Sequence, residues 1–115
     1  MGELQIYLDK YKPDLLLLQE TWLDKSIESV HIPGYKEISR HDRSVKDNRG
    51  GVATYARHDV CNVVHLFNSS SAERSWHLIH FDFGTYAMSN WYRSEVMKEM
   101  RFLGLRNELQ EILRF

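Results

Sequence analysis

Glu20 closes the apolar run Leu15-Leu16-Leu17-Leu18-Gln19, which follows Pro13-Asp14 and leads into Thr21-Trp22-Leu23. Consecutive leucines after Pro-Asp predict a strand over 14–19 that is covered on both faces, as inside layered α/β domains and not at a solvated edge. A carboxylate at the C-terminal end of such a strand stands where α/β folds place their ligands. Its oxygens suit Mg²⁺, a hard cation commonly held by one or two carboxylates plus water and phosphate. The plain alternative for Glu20 is a solvated strand end.

The second set of chemically useful residues is Asn90-Trp91-Tyr92-Arg93. A phenol such as Tyr92 can donate a hydrogen bond to a phosphate oxygen and stabilise developing charge without carrying a full charge itself. Asn90, two residues earlier, falls on the same strand face. The structural alternative is that Tyr92 is an amphipathic residue at a sheet rim. Arg43, Arg49 and Arg93 could contact phosphate, or could be solvated loop charges. Between Arg40 and Arg57, five cations (Arg40, Arg43, Lys46, Arg49, Arg57) face two anions (Asp42, Asp47), a local excess that either role would explain. Trp22, Tyr35 and Trp91 could stack on bases, but aromatics of a layered sheet protein are more often core.

Other constellations are excluded. His77 and His80 are three apart on a predicted strand and point to opposite faces, so they cannot share an ion. His31, His41, His58 and His65 are scattered. Cys61 is the single cysteine, which excludes an internal disulfide. Its valine neighbours suggest a small apolar side chain in or near a strand. Gly50 and Gly51 belong to no Walker or GxGxxG pattern and are read as structural, not as a phosphate cradle.

These residues must be positioned by elements that the pattern also predicts. Leu4, Tyr7, Leu8 and Tyr11 recur at helical spacing, giving a helix near 3–11 that Pro13 terminates. After the strand at 14–19 comes a polar surface loop, then Pro33-Gly34 turning into a strand over 35–40. The polar stretch 41–50 connects it to a strand over 51–56, and further strands are predicted at 61–67, 75–83 and 85–92. From Glu95 to Arg114 the composition is helical, but the apolar stripe jumps at Gly104, which predicts a kink, a break or a late helix start.

With 115 residues and 43% hydrophobic content the chain can build one small core, and residues 1–115 are read as one domain. Net charge is −1, so no global basic excess marks a nucleic-acid binder. There is no signal-type N-terminus and no apolar run long enough to span a bilayer, so the expectation is an intracellular protein of nucleus or cytoplasm, not secreted and not membrane-bound.

The ordered set Pro13-Asp14-Leu15 to Gln19-Glu20-Thr21-Trp22-Leu23, Ile32-Pro33-Gly34-Tyr35, Arg49-Gly50-Gly51-Val52-Ala53-Thr54-Tyr55 and Asn90-Trp91-Tyr92-Arg93 resembles the endonuclease/exonuclease/phosphatase superfamily. The similarity is closest to the endonuclease domains of non-LTR retrotransposons and covers nearly all of 4–113. It implies an α/β (α+β) fold, part of a two-sheet β-sandwich flanked by helices and about one half of the full four-layer arrangement. It further implies a metal-dependent phosphodiester hydrolase, with Mg²⁺ (or Mn²⁺) as cofactor, Glu20 as metal ligand, Gln19 as its supporting neighbour, and Tyr92 with Asn90 in the catalytic set. The resemblance also makes Gly50-Gly51 the pair that precedes the family's third or fourth strand, where close backbone approach or positive φ is needed. Ser94 departs from the Tyr-Arg-Pro or Tyr-x-Pro-Asn continuation of the family.

The Gly-Asp-x-Asn and Ser-Asp-His segments of the resembling enzymes do not occur in this sequence. Loss of members of a catalytic unit costs orders of magnitude in rate. The expectation is a fragment of a retroelement-type DNA endonuclease that is inactive alone. Its partners would be DNA and either the missing half of the fold or a second copy, because an uncovered sheet face seeks a partner. A non-catalytic remnant or interaction module, and a phosphatase of the same superfamily, are the alternatives.

Overall fold

The computed structural model describes residues 2–23, 26–27, 30–42, 50–70, 72–92 and 104–114. Helix α1 (Gly2–Tyr11) is followed by strands β1 (Leu15–Gln19), β2 (Tyr35–His41), β3 (Val52–Arg57), β4 (Val63–Asn68), β5 (Glu73–Phe81) and β6 (Gly84–Tyr92), then helix α2 (Leu105–Ile112). Lys12, at φ 47°, ends α1 in the left-handed region, and Pro13 prevents its continuation.

The strands form two three-stranded antiparallel sheets, ordered β1-β3-β2 and β4-β5-β6. The fold is thus mixed α/β. The sheets face each other, with β2 against β4 and β5, β3 against β5 and β6, and β1 against β6. Alternation along each strand assigns the side chains to layers. Leu16 and Leu18 of β1 and Ala53 and Tyr55 of β3 pack with Leu8 of α1, Ile32 and Tyr35 on the outer face of the first sheet. Ser75, His77 and Asn90 lie between the sheets, while Arg74 and Trp76 turn outward to α2.

The leucine strand is covered on both faces, by α1 and by the second sheet, but among the described residues it is not an inner strand. Strand β1 pairs with β3 alone among the described residues and stands at the end of the strand order. An apolar run reports coverage of its faces and carries no information about the hydrogen-bonding edge. The central strand is β3, buried from Val52 through Ala56.

Helix α2 starts late, at Leu105, with Gly104 as its N-cap residue at φ 76°. Its buried residue is not one of the leucines but Glu108, which accepts hydrogen bonds from Arg74 Nε (2.7 Å), Arg74 Nη2 (2.7 Å), Trp76 Nε1 (2.8 Å) and Ser69 Oγ (2.6 Å). Burial pushes this carboxyl upward, but the bonds from Arg74, Ser69 and Trp76 outweigh it and hold it below the ordinary glutamate value. Arg74 is fully buried, with its guanidinium 4.7 Å from the Trp91 ring centroid. The α2 helix is therefore fastened to the outer face of β5 by a buried ion pair. Cys61 precedes β4 and is exposed, outside the apolar layer that its valine neighbours suggest.

Candidate active site

Strand β1 ends at Gln19, and the chain then enters a backbone conformation that side chains rarely adopt. Glu20 has φ 53° and Trp22 has φ 58°. Left-handed geometry costs a non-glycine residue roughly 1–2 kcal/mol, so surrounding structure must hold it. The Gly50–Gly51 turn does so. Trp22 N donates to Gly50 O at 2.9 Å, Thr21 N to Gly51 O at 3.4 Å, and Thr21 Oγ1 to Gly50 O at 3.4 Å.

Both requirements expected of this glycine pair are present. Gly50 and Gly51 have φ 105° and 87°. A Cβ on Gly51 would stand 2.7 Å from Thr21 Oγ1, so any side chain there would require at least the Thr21 hydroxyl to shift. The Gly51 N–H donates to Glu73 Oε1. Glu73 opens β5 directly across from Tyr92 of β6, so a second carboxylate reaches the glycine pair from the opposite sheet.

Glu20 and Tyr92, 72 residues apart in the chain, meet at the rim between the sheets. The Tyr92 hydroxyl donates to Glu20 Oε1 at 2.9 Å, and the Glu20 side chain is exposed. Beneath them Gln19 Nε2 donates to Asn90 Oδ1 at 2.7 Å. Asn90 is fully buried and its amide donates to Ala53 O (3.0 Å), Thr54 Oγ1 (3.1 Å) and Leu18 O (3.3 Å). Asn90 thus pins β6 to β1 and β3, and places Tyr92 two residues further along the same face, over the end of β1.

A cation at Glu20 would rely on few protein ligands. Among the described residues there is no group of three or more His, Cys, Asp or Glu side chains able to hold a metal ion. A lone exposed carboxylate whose partner is a neutral phenol, with no cation paired to it among the described residues, suits Mg²⁺, which keeps several waters and takes one or two carboxylates.

The remaining candidates separate. Arg43, Arg49 and Arg93 lie outside the described residues, as does Lys46. Arg40 is committed to Asp42 through Nε (2.8 Å) and Nη2 (2.8 Å), and Arg57 to Asp14 (2.9 Å) and Asp59 (2.6 Å), so two of the five cations counted between Arg40 and Arg57 serve local ion pairs. Trp22 is 53% exposed beside Glu20, whereas Tyr35 is core, with its hydroxyl donating to Pro13 O.

His77 and His80 take opposite faces as their spacing demands. His80 is exposed, and His77 is buried, 2.7 Å from Ser39 Oγ through Nε2. Burial pushes the His77 imidazole down from 6.5 to about 4, so it is neutral at pH 7. Glu73, Arg74 and Glu108 were not singled out by sequence reasoning. No local spacing marks them, because each acts through a partner from a different element.

No curated protein and no solved structure gives a significant match to this sequence. A family model does match, over residues 2–113, which takes in α1, all six strands and α2. The chain belongs to the Endonuclease/Exonuclease/phosphatase family.

Proposed function

We propose that this chain is part of a Mg²⁺-dependent phosphodiesterase, of the DNA-endonuclease kind encoded by non-LTR retroelements, with Mn²⁺ able to replace Mg²⁺. The observation that supports this most is the hydrogen bond from Tyr92 to the exposed Glu20 carboxylate. It joins an anionic oxygen ligand and a neutral donor at one point of the rim, two of the groups that a phosphoryl centre uses.

Glu20 would hold the cation, whose chemistry when bound would be to withdraw charge from the phosphoryl oxygens. Gln19 and Asn90 fix the strand ends from which Glu20 and Tyr92 project. The Tyr92 hydroxyl has a single proton, given to Glu20 in this state, and an incoming phosphate oxygen competes for it. Trp22, two residues after Glu20, is 53% exposed, and an indole there is suited to stacking on a nucleobase.

DNA is then the partner, and the protein works inside the cell, in nucleus or cytoplasm. No helix among the described residues is long and apolar enough to cross a membrane. Without the Gly-Asp-x-Asn and Ser-Asp-His segments, turnover by these 115 residues alone is weak.

Nicking of supercoiled plasmid, in Mg²⁺ and in excess chelator, tests the proposal. Wild-type chain is expected to nick above the level of Glu20→Ala only when the cation is present. Equal background from the two proteins contradicts catalysis by this chain.

A further inference from the structure

The Glu73 carboxylate performs no role that the site as described above requires, yet it is aimed at the site's backbone. It lies across the β5–β6 ladder from Tyr92 and accepts the Gly51 N–H. The Gly51 carbonyl in turn accepts the Thr21 N–H, and the Gly50 carbonyl accepts the Trp22 N–H. These two amides lie within a segment in which Glu20 and Trp22 are both left-handed. Anything that lets the glycine turn move therefore releases the backbone that aims the Glu20 carboxylate.

A side-chain oxygen that reaches the Gly51 N–H satisfies it, and the half-buried position of Glu73 shields the bond from water. Gly51 sits at φ 87°, where any side chain that would stiffen the backbone is strained. External bracing is the remaining way to immobilise the turn.

We infer that Glu73 is a positioning residue for the cation site: through the Gly50–Gly51 turn it holds Glu20 in the strained conformation that presents its carboxylate to a divalent cation. This rests on the assignment of Glu20 as metal ligand. Glu73 acts by its reach to Gly51 N–H, not by adding negative charge to the site, and the two possibilities have opposite signatures.

The test compares Glu73→Asp, which keeps the charge but shortens the reach, with Glu73→Gln, which keeps the reach and an acceptor oxygen but removes the charge. Two readouts are taken on the full chain: Mn²⁺ affinity by water-proton relaxation, and hydrogen exchange at the Thr21 and Trp22 amides. Glu73→Asp is expected to weaken Mn²⁺ binding about 5- to 10-fold and to speed exchange at both amides by a similar factor. Glu73→Gln is expected to stay within about 2-fold of wild type in both.

The reverse order, with Glu73→Gln weak and Glu73→Asp unchanged, overturns the inference in favour of a charge effect. Unchanged amide exchange in Glu73→Asp overturns it as well. Glu20→Gln runs alongside: if it binds Mn²⁺ as wild type does, the metal assignment fails on its own, while amide exchange still reports whether Glu73 braces the turn.

Discussion

Tyr92 and Glu20 belong to different sheets, and the 2.9 Å hydrogen bond between them ties the last residue of β6 to the residue that follows β1. The bond is exposed, so it contributes little to folding, of the order of 1 kcal/mol or less. Tyr92→Phe is expected to lower the melting temperature by less than about 5 °C. In the nicking assay the same substitution should cost at least about 10-fold, because a donor aimed at developing charge is worth far more in a transition state than in the ground state. Thermal melts beside the nicking assay check both, and a large loss of stability would assign Tyr92 a structural role.

Asn90 should behave in the opposite way. Its amide donates to the Ala53 and Leu18 carbonyls and to Thr54 Oγ1, and its carbonyl accepts a hydrogen bond from Gln19 Nε2. Asn90→Ala strands several of these groups, at about 1–3 kcal/mol for each left unsatisfied. A urea titration is expected to show a loss of roughly 3 kcal/mol or more. A loss below about 1 kcal/mol would mean that water replaces the amide.

Stability should also depend on acid through His77. Its ring is buried between the sheets, against Ser39 Oγ at 2.7 Å and with the His65 ring centroid 5.5 Å away. The folded pKa of about 4 lies below the unfolded value of 6.5. Between these values the unfolded chain binds the extra proton, so stability is complete above pH 6.5 and falls as the pH drops toward 4. The loss over that window is roughly 3 kcal/mol at most. Urea midpoints of wild type and His77→Gln at pH 7 and pH 4.5 check it: the variant should show a flatter dependence, and parallel curves would contradict the assignment.

The buried pair Arg74–Glu108 predicts strong coupling. Removing either partner alone leaves a charge in the outer layer of the second sheet, which costs about 3–5 kcal/mol. Arg74→Met combined with Glu108→Leu should recover a large part of that loss, because apolar side chains of similar size need no counter-charge. A double-mutant cycle measured in urea is expected to give a coupling of more than about 2 kcal/mol, whereas additive single losses would mean that α2 is held by other contacts.

What could be read from the sequence was carried by local signals. Pro13 after the helical spacing of Leu4, Leu8 and Tyr11 marks where α1 stops, and Gly104 marks where α2 begins. Gly50-Gly51 announced positive φ and close approach, and the alternation through β6 placed Asn90 and Tyr92 on one face. The edge position of β1 was not legible, since four leucines describe two covered faces and nothing about strand order. Glu108 was hidden because a glutamate on a short helix reads as solvated, and only the fold brings Arg74 and Trp76 to it. Glu73 was hidden for the same reason, as its partner Gly51 is 22 residues away and contributes only a backbone N–H.

The most direct measurement of the central claim is a Mn²⁺ titration of the full chain, followed by water-proton relaxation and competed with Mg²⁺, in wild type and Glu20→Gln. One Mg²⁺-displaceable site, weakened at least about 10-fold by the substitution, is the outcome that a single charged oxygen ligand at the rim predicts. Equal affinity in the two proteins, with both still folded, would remove Glu20 from the metal site and with it the hydrolase assignment of this chain.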